Sequence, residues 1–410
     1  MKLMTGMSPG GKPYQNPPPL SSSLLQAVKP PESNLPLTLP MKLVLNTTGL
    51  SVLKSNQAKG DKNLSGYEVP VSQYKPDVIR KLLLKNCLNR IDVSLDDVVR
   101  HRRDILDITK ILFFSILYKQ FRRDLLEKTV NTILIQQWNR QHPRQKLDVT
   151  SDQSMSSIEK SLAGKTEEQA LFRRNLLIHL WKDYYDLFQD DEPHKKMGMA
   201  EKLIQEMHPL TMFILLDYRK HDEIKQLTQF VIETIALYIK RFALPEFNGL
   251  VLLEYLQSSE RENLINLYSG ILEKGGRHTE DFPMNDQIRN ELIKRKISPV
   301  TKFSFLFEIK NSSTRGQINR IRTMVISGDK ESREINDILF HRDNSRLDKR
   351  SVKDYLEQDG QCDENYNPEI LYYYLNHLEE ACKETGCSFS SFVNCGSDNR
   401  LSMTHLVFDS

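Results

Sequence analysis

Beyond residue 300 of this chain of 410 residues the spacing of apolar residues changes, and that change sets what it can fold into. Up to about residue 275 the apolar positions recur at i, i+3 and i+4, the period of one helix face. Beyond residue 300 the apolar runs become short, aromatic and β-branched. They are Lys302 to Ile309, Ser388 to Asn394, and Leu401 to Phe408, which alternates Leu401, Met403, His405 and Val407. A mainly helical part followed by a part that mixes helices with strands predicts an α+β protein.

Along the helical part, Pro76 and Asp77 open a helix whose face is Ile79, Leu82, Leu83, Asn86 and Cys87. A longer helical signal runs from Ser94, an N-cap candidate with Asp97 three residues on, to Trp138. His142-Pro143 ends it, and residues 143–165 read as a loop. Helices are expected again at 166–189 and 199–241, with a break or fresh start at Pro209, and from Pro245 to about Leu272, where Gly275-Gly276 follows. After the strand run at 302–309 comes a charged stretch at 329–365. Pro368 then opens a helix through Leu371, Leu375, Leu378 and Cys382 that Gly386 stops.

Composition divides the chain differently. Nine of its 18 prolines fall in the first 40 positions, and residues 1–66 are poor in aromatics, so this segment is expected to be a disordered Pro-rich tail. Its seven lysines against Glu32 and Asp61 make it +5, which leaves −2 for the rest of a chain whose total is +3. A body without basic excess disfavours nucleic acid as the partner. The longest apolar stretches, Ile111 to Tyr118 and Leu210 to Leu216, are well short of the roughly 18 residues a membrane span needs, and the N-terminal sequence lacks a secretory apolar run. A cytoplasmic location is the expectation. Five cysteines (Cys87, Cys362, Cys382, Cys387 and Cys395) without a C-x-x-C pair point to free thiols and not to a zinc site.

The common catalytic spacings are missing: no Walker loop, G-x-G-x-x-G, H-E-x-x-H, G-x-S-x-G or EF-hand loop occurs. His208, before Pro209, reads as a helix-capping or packed histidine. Arg100, His101, Arg102, Arg103, Arg122 and Arg123 alternate with Asp104, Asp107, Asp124 and Glu127, which is the charge pattern of a solvated helix face.

The order of elements after Phe242 carries a resemblance. The segment from Leu250 to Asn263, with Glu254 and Ser258, resembles the N-box helix of histidine-kinase-like (GHKL, Bergerat-fold) ATPases. Phe307 to Ser313, followed by a helical reading of Gln317 to Met324, is similar to that family's adenine-binding strand, turn and helix. The helix at 369–385 and the strands at 388–394 and 401–408 resemble its closing elements. The resemblance implies a C-terminal histidine-kinase-like α/β sandwich over 245–410. It also implies that the helical region at 75–241 serves dimerisation or sensing.

The same resemblance implies a degenerate nucleotide site. Glu254 matches the family's general-base carboxylate, but Ser258 stands where an asparagine holds magnesium, and a hydroxyl is the poorer ligand for that ion. Lys310 replaces the adenine-reading aspartate and has only donors to offer. No glycine lies between Gly360 and Gly386, and Tyr372, Tyr373 and Tyr374 occupy the region of a glycine box. The expectation is a non-catalytic signalling or regulatory protein that acts by protein–protein contact, without a cofactor, with a homodimer through the helical region as one form of contact. The alternative is a nucleotide-binding ATPase or kinase with an atypical pocket, in which Glu254, Ser258, Lys310 and Asn311 bind ATP with magnesium.

Overall fold

A computed structural model describes residues 37–56, 76–189, 193–219, 221–274, 286–295, 300–312, 315–327, 348–351, 368–395 and 402–409. Their elements in chain order are β1 Met41–Leu45, α1 Thr47–Asn56, α2 Pro76–Leu84, β2 Leu88–Leu95, α3 Arg102–Val130, α4 Ile133–Gln141, α5 Asp152–Ala163 and α6 Thr166–Asp183. There follow α7 Pro193–Gln205, α8 Pro209–Asp217, α9 Asp222–Arg241, α10 Leu244–Lys274, α11 Asp286–Lys294, β3 Thr301–Ser312, β4 Arg315–Ser327, β5 Asp348–Ser351, α12 Pro368–Glu384, β6 Ser388–Cys395 and β7 Ser402–Asp409. The fold is α+β.

The chain forms two compact units. The first contains Phe121–Ile239 and the second joins Glu32–Gln120 to Lys240–Ser410. The second unit carries a seven-stranded antiparallel sheet in the order β1-β2-β3-β4-β7-β6-β5. Register places Leu43, Ile91 and Phe305 in one row and Met41, Val93 and Phe303 in the next. These side chains are buried in one core with Ile105, Ile108 and Leu112 of α3, Val251, Leu252 and Leu256 of α10, and Leu371, Leu375 and Leu378 of α12. Period two in the strands thus meets period 3.6 in the helices over a shared apolar layer.

Within this unit α3 and α10 run antiparallel. Lys110 pairs with Glu246 at 3.6 Å, and a Cβ on Gly249 would lie 3.2 Å from Leu106 Cδ2. Further along α10, Glu260 accepts from the Val98 amide at 2.8 Å. The first unit, by contrast, is all helix among its described residues. Tyr238, fully buried, packs on Phe121 and donates its hydroxyl to Asp124 at 2.7 Å. The Thr129 and Thr211 hydroxyls meet at 3.0 Å, and Glu223 accepts from the Leu134 amide at 3.0 Å.

Several sequence expectations are corrected. The segment expected to be a disordered tail contains β1 and α1, because Leu37, Leu39, Met41, Leu43, Val44 and Leu45 are all buried. Residues 1–36 and 57–66 of that segment lie outside the described residues. The helical region expected at 75–241 contains β2, and its residues up to Gln120 belong with the C-terminal part. Ser94 is no N-cap: it sits in β2 opposite Lys302, and α3 starts only at Arg102. The loop expected at 143–165 contains α5, capped by Ser151, whose hydroxyl accepts from the Ser154 amide. Gln317 to Met324, expected to be helical, lies in β4 and pairs along its length with β3. Most of the charged stretch at 329–365 lies outside the described residues; β5 is the part that is described.

Candidate functional site

Glu254 and Ser258 stand one turn apart on α10, both half-buried. The Glu254 carboxyl is pushed above the usual carboxylate range by burial, partly offset by the Arg102 guanidinium at the start of α3. Lys310 and Asn311 lie near the β3–β4 turn, opposite Gln317 and Gly316, and their side chains are outside the described residues. The structure therefore brings each pair together within its own element. α10 packs on both β3 and β4.

Two residues beyond Ser258 the charges are fully engaged. Arg289 of α11 donates to Glu260 through Nη2 at 2.9 Å and Nε at 3.2 Å, and to Asp97 through Nη2 at 2.8 Å. Glu260 is 3% exposed; burial raises its carboxyl, opposed by the Val98 amide and Arg289. Burial also works against ionisation of Asp97. Hydrogen bonds from Arg289 and the Arg100 amide outweigh that and hold its carboxyl below the usual range. A guanidinium shared by two carboxylates, each of which also accepts from a backbone amide, is a satisfied structural network. Arg289 carried no signal in the sequence, since its partners are 29 and 192 residues away.

The other singled-out residues have structural partners. His208 is the N-cap of α8, as expected: its Nδ1 accepts from the Leu210 amide at 3.1 Å, and burial, aided by the Arg122 charge, lowers the imidazole to about 4. Cys87, Cys382 and Cys387 are buried free thiols, and burial raises Cys382 to about 12. Among the described residues no group of three metal-ligating side chains comes together. Arg103 pairs with Asp107 at 3.7 Å at i, i+4 spacing on α3, while Asp124 of the same charge pattern accepts from the buried Tyr238 hydroxyl.

One surface feature stands apart. On α12 the Tyr373 ring is 59% exposed and meets His377 edge-on at 4.3 Å, with Tyr374 at 5.7 Å from Tyr373. His377 also stacks on Phe247 of α10 at 5.6 Å between ring centroids. Within the tyrosine run that reads as filling a glycine box, Tyr373 thus turns its ring to solvent.

A two-unit α+β protein with a helix layer on an antiparallel sheet is the class the structure defines. The chain belongs to a family of unknown function, DUF8084, which matches residues 32–410. It is 23% identical over 387 residues to an uncharacterized protein of Treponema pallidum (strain Nichols), an alignment covering 91% of this chain and 97% of that protein. No solved structure matches it. Among the described residues no helix is long and apolar enough to cross a membrane.

Proposed function

We propose that this is a non-catalytic regulatory protein that acts by protein–protein contact. The observation that carries the reading is the exposed Tyr373 ring on α12, edge-on to His377, with Tyr374 and Phe247 packed on the core behind it. Tyrosine supplies large contact area at low entropic cost and is enriched at the centres of interfaces. Asp97, Glu260 and Arg289, by contrast, spend their charge on each other and on backbone amides. A homodimer through the helical unit is a second form of contact, favoured by Ile133 and Leu171, each 57% exposed there.

A degenerate histidine-kinase-like ATPase as the origin of the C-terminal part belongs to the same proposal. The packing of α10 on the sheet supports that origin; the wholly antiparallel pairing, where a mixed sheet is expected of it, and β4 in place of the expected helix weigh against it. In the competing reading, Glu254, Ser258, Lys310 and Asn311 hold ATP with magnesium. Size fractionation of native extract tests the main reading. The protein is expected well above its 47.7 kDa, and Tyr373→Ser is expected to return it towards that mass. Wild type eluting as a lone chain would refute the contact reading. A thermal shift with Mg-ATP, where saturation at 100 times Kd adds about 2.7 kcal/mol, would favour the competing one.

A further inference from the structure

α11 is nine residues long, below the roughly 12–15 at which an isolated helix becomes stable, so docking must hold it. Leu292 and Arg289 contribute to that. Leu292 is buried against Leu264 of α10, with Ile265, Tyr268 and Ile288 around it. This cluster is separate from the large core beneath the sheet. Arg289, one turn before Leu292 and beside Ile288, reaches Glu260 and Asp97 at 2.8–3.2 Å. Glu260 has a second duty, since it also accepts from the Val98 amide in the turn that leads into α3.

We propose that α11 is a releasable strap, lifting from α10 as one unit while the sheet and its helix layer stay folded. Small cooperative units that share no core with the rest of a fold open at lower free energy than the core does. Lifting uncovers Glu260, Leu264, Ile265 and Tyr268 of α10, together with Asp97, which shares Arg289 with Glu260. The strap does not depend on the aromatic face of α12 and stands or falls separately from the contact reading.

Hydrogen–deuterium exchange on the full-length native protein tests it. In wild type, amides of the second half of α11 should exchange at least about tenfold faster than those of Phe303 to Phe307 in β3. Arg289→Met should accelerate α11 by a further factor of about ten and leave β3 unchanged, and Leu292→Ala should do the same. Exchange of α11 in step with β3 in wild type would overturn the proposal without any variant. So would an Arg289→Met protein in which α11 exchanges at the wild-type rate, or in which α11 and β3 accelerate together.

Discussion

Replacing Gly49 by alanine strikes a position where backbone meets backbone. A Cβ there would lie 2.3 Å from the Cys87 carbonyl oxygen and 3.1 Å from its carbon. Neither atom is free to give. The Cys87 oxygen accepts from the Asn46 amide at 3.0 Å, Asn46 Oδ1 accepts from the Gly49 amide at 2.9 Å, and Asn46 Nδ2 donates to the Asn86 oxygen at 2.5 Å. To reach an ordinary contact, α1 must move by roughly an ångström, which strains or breaks these three bonds. At about 1 kcal/mol net for each hydrogen bond, the loss is about 3 kcal/mol. The gain from replacing glycine by alanine inside a helix returns about 1 kcal/mol, so Gly49→Ala should be destabilised by about 2 kcal/mol. Urea unfolding followed by circular dichroism reads this as a lower midpoint. Gly164→Ala is the control: its backbone is αR and its nearest neighbour, the Ser161 oxygen, is 3.7 Å from the Cβ. It should gain about 0.5 kcal/mol. A Gly49→Ala protein as stable as wild type would refute the packing argument at this corner.

Other expectations follow from the same contacts. His208 accepts a hydrogen bond only when Nδ1 is unprotonated. Its folded value near 4 lies below the unfolded value, so its contribution is present above about pH 6.5 and lost as pH falls towards 4. With the ring partly solvated, the loss is about 1–2 kcal/mol, and His208→Asn, which caps without titrating, should flatten that part of the stability–pH curve. Identical pH dependence of the two proteins would count against the cap. Tyr238→Phe removes the donor to Asp124 and should cost about 1.5–3 kcal/mol in denaturant unfolding; an unchanged midpoint would contradict the buried bond. Gly386 has φ +66, so Gly386→Ala should cost about 1 kcal/mol and Gly386→Asn less, because asparagine tolerates the left-handed region as Asn86 does at φ 52. Equal cost for both variants would argue against that conformation.

Much of the architecture was legible where local and tertiary preferences agree. α2, α6, α10 and α12 follow their apolar spacing, β3, β6 and β7 follow their aromatic and β-branched content, and Pro209 opens α8. β2 was missed because Ser94 and Asp97 imitate a helix cap. Its own alternation, Leu88 apart, is Ile91, Val93 and Leu95, and that wins once β1 and β3 supply partners on both sides. In β4 the spacing of Ile318, Ile321 and Met324 imitates a helix. Pairing of Val325 with Phe303 and Ile321 with Phe307 decides otherwise. Asn86 and Cys87, read as part of the helix face, instead lie beyond the end of α2, where Asn86 takes a left-handed conformation. Of the candidate site, the helix carrying Glu254 and Ser258 and the strand carrying Lys310 and Asn311 were legible. The Asp97–Glu260–Arg289 network was not, because ion pairs between distant segments leave no periodic trace.

The contact reading is tested most directly by placing a photoreactive phenylalanine analogue at position 373 in the native cell and irradiating it. The account predicts a discrete crosslinked species that contains a second polypeptide. It also predicts that the same analogue in place of Glu384, an exposed residue on the same helix, produces none. No crosslink at 373, or the same diffuse labelling at both positions, would contradict it.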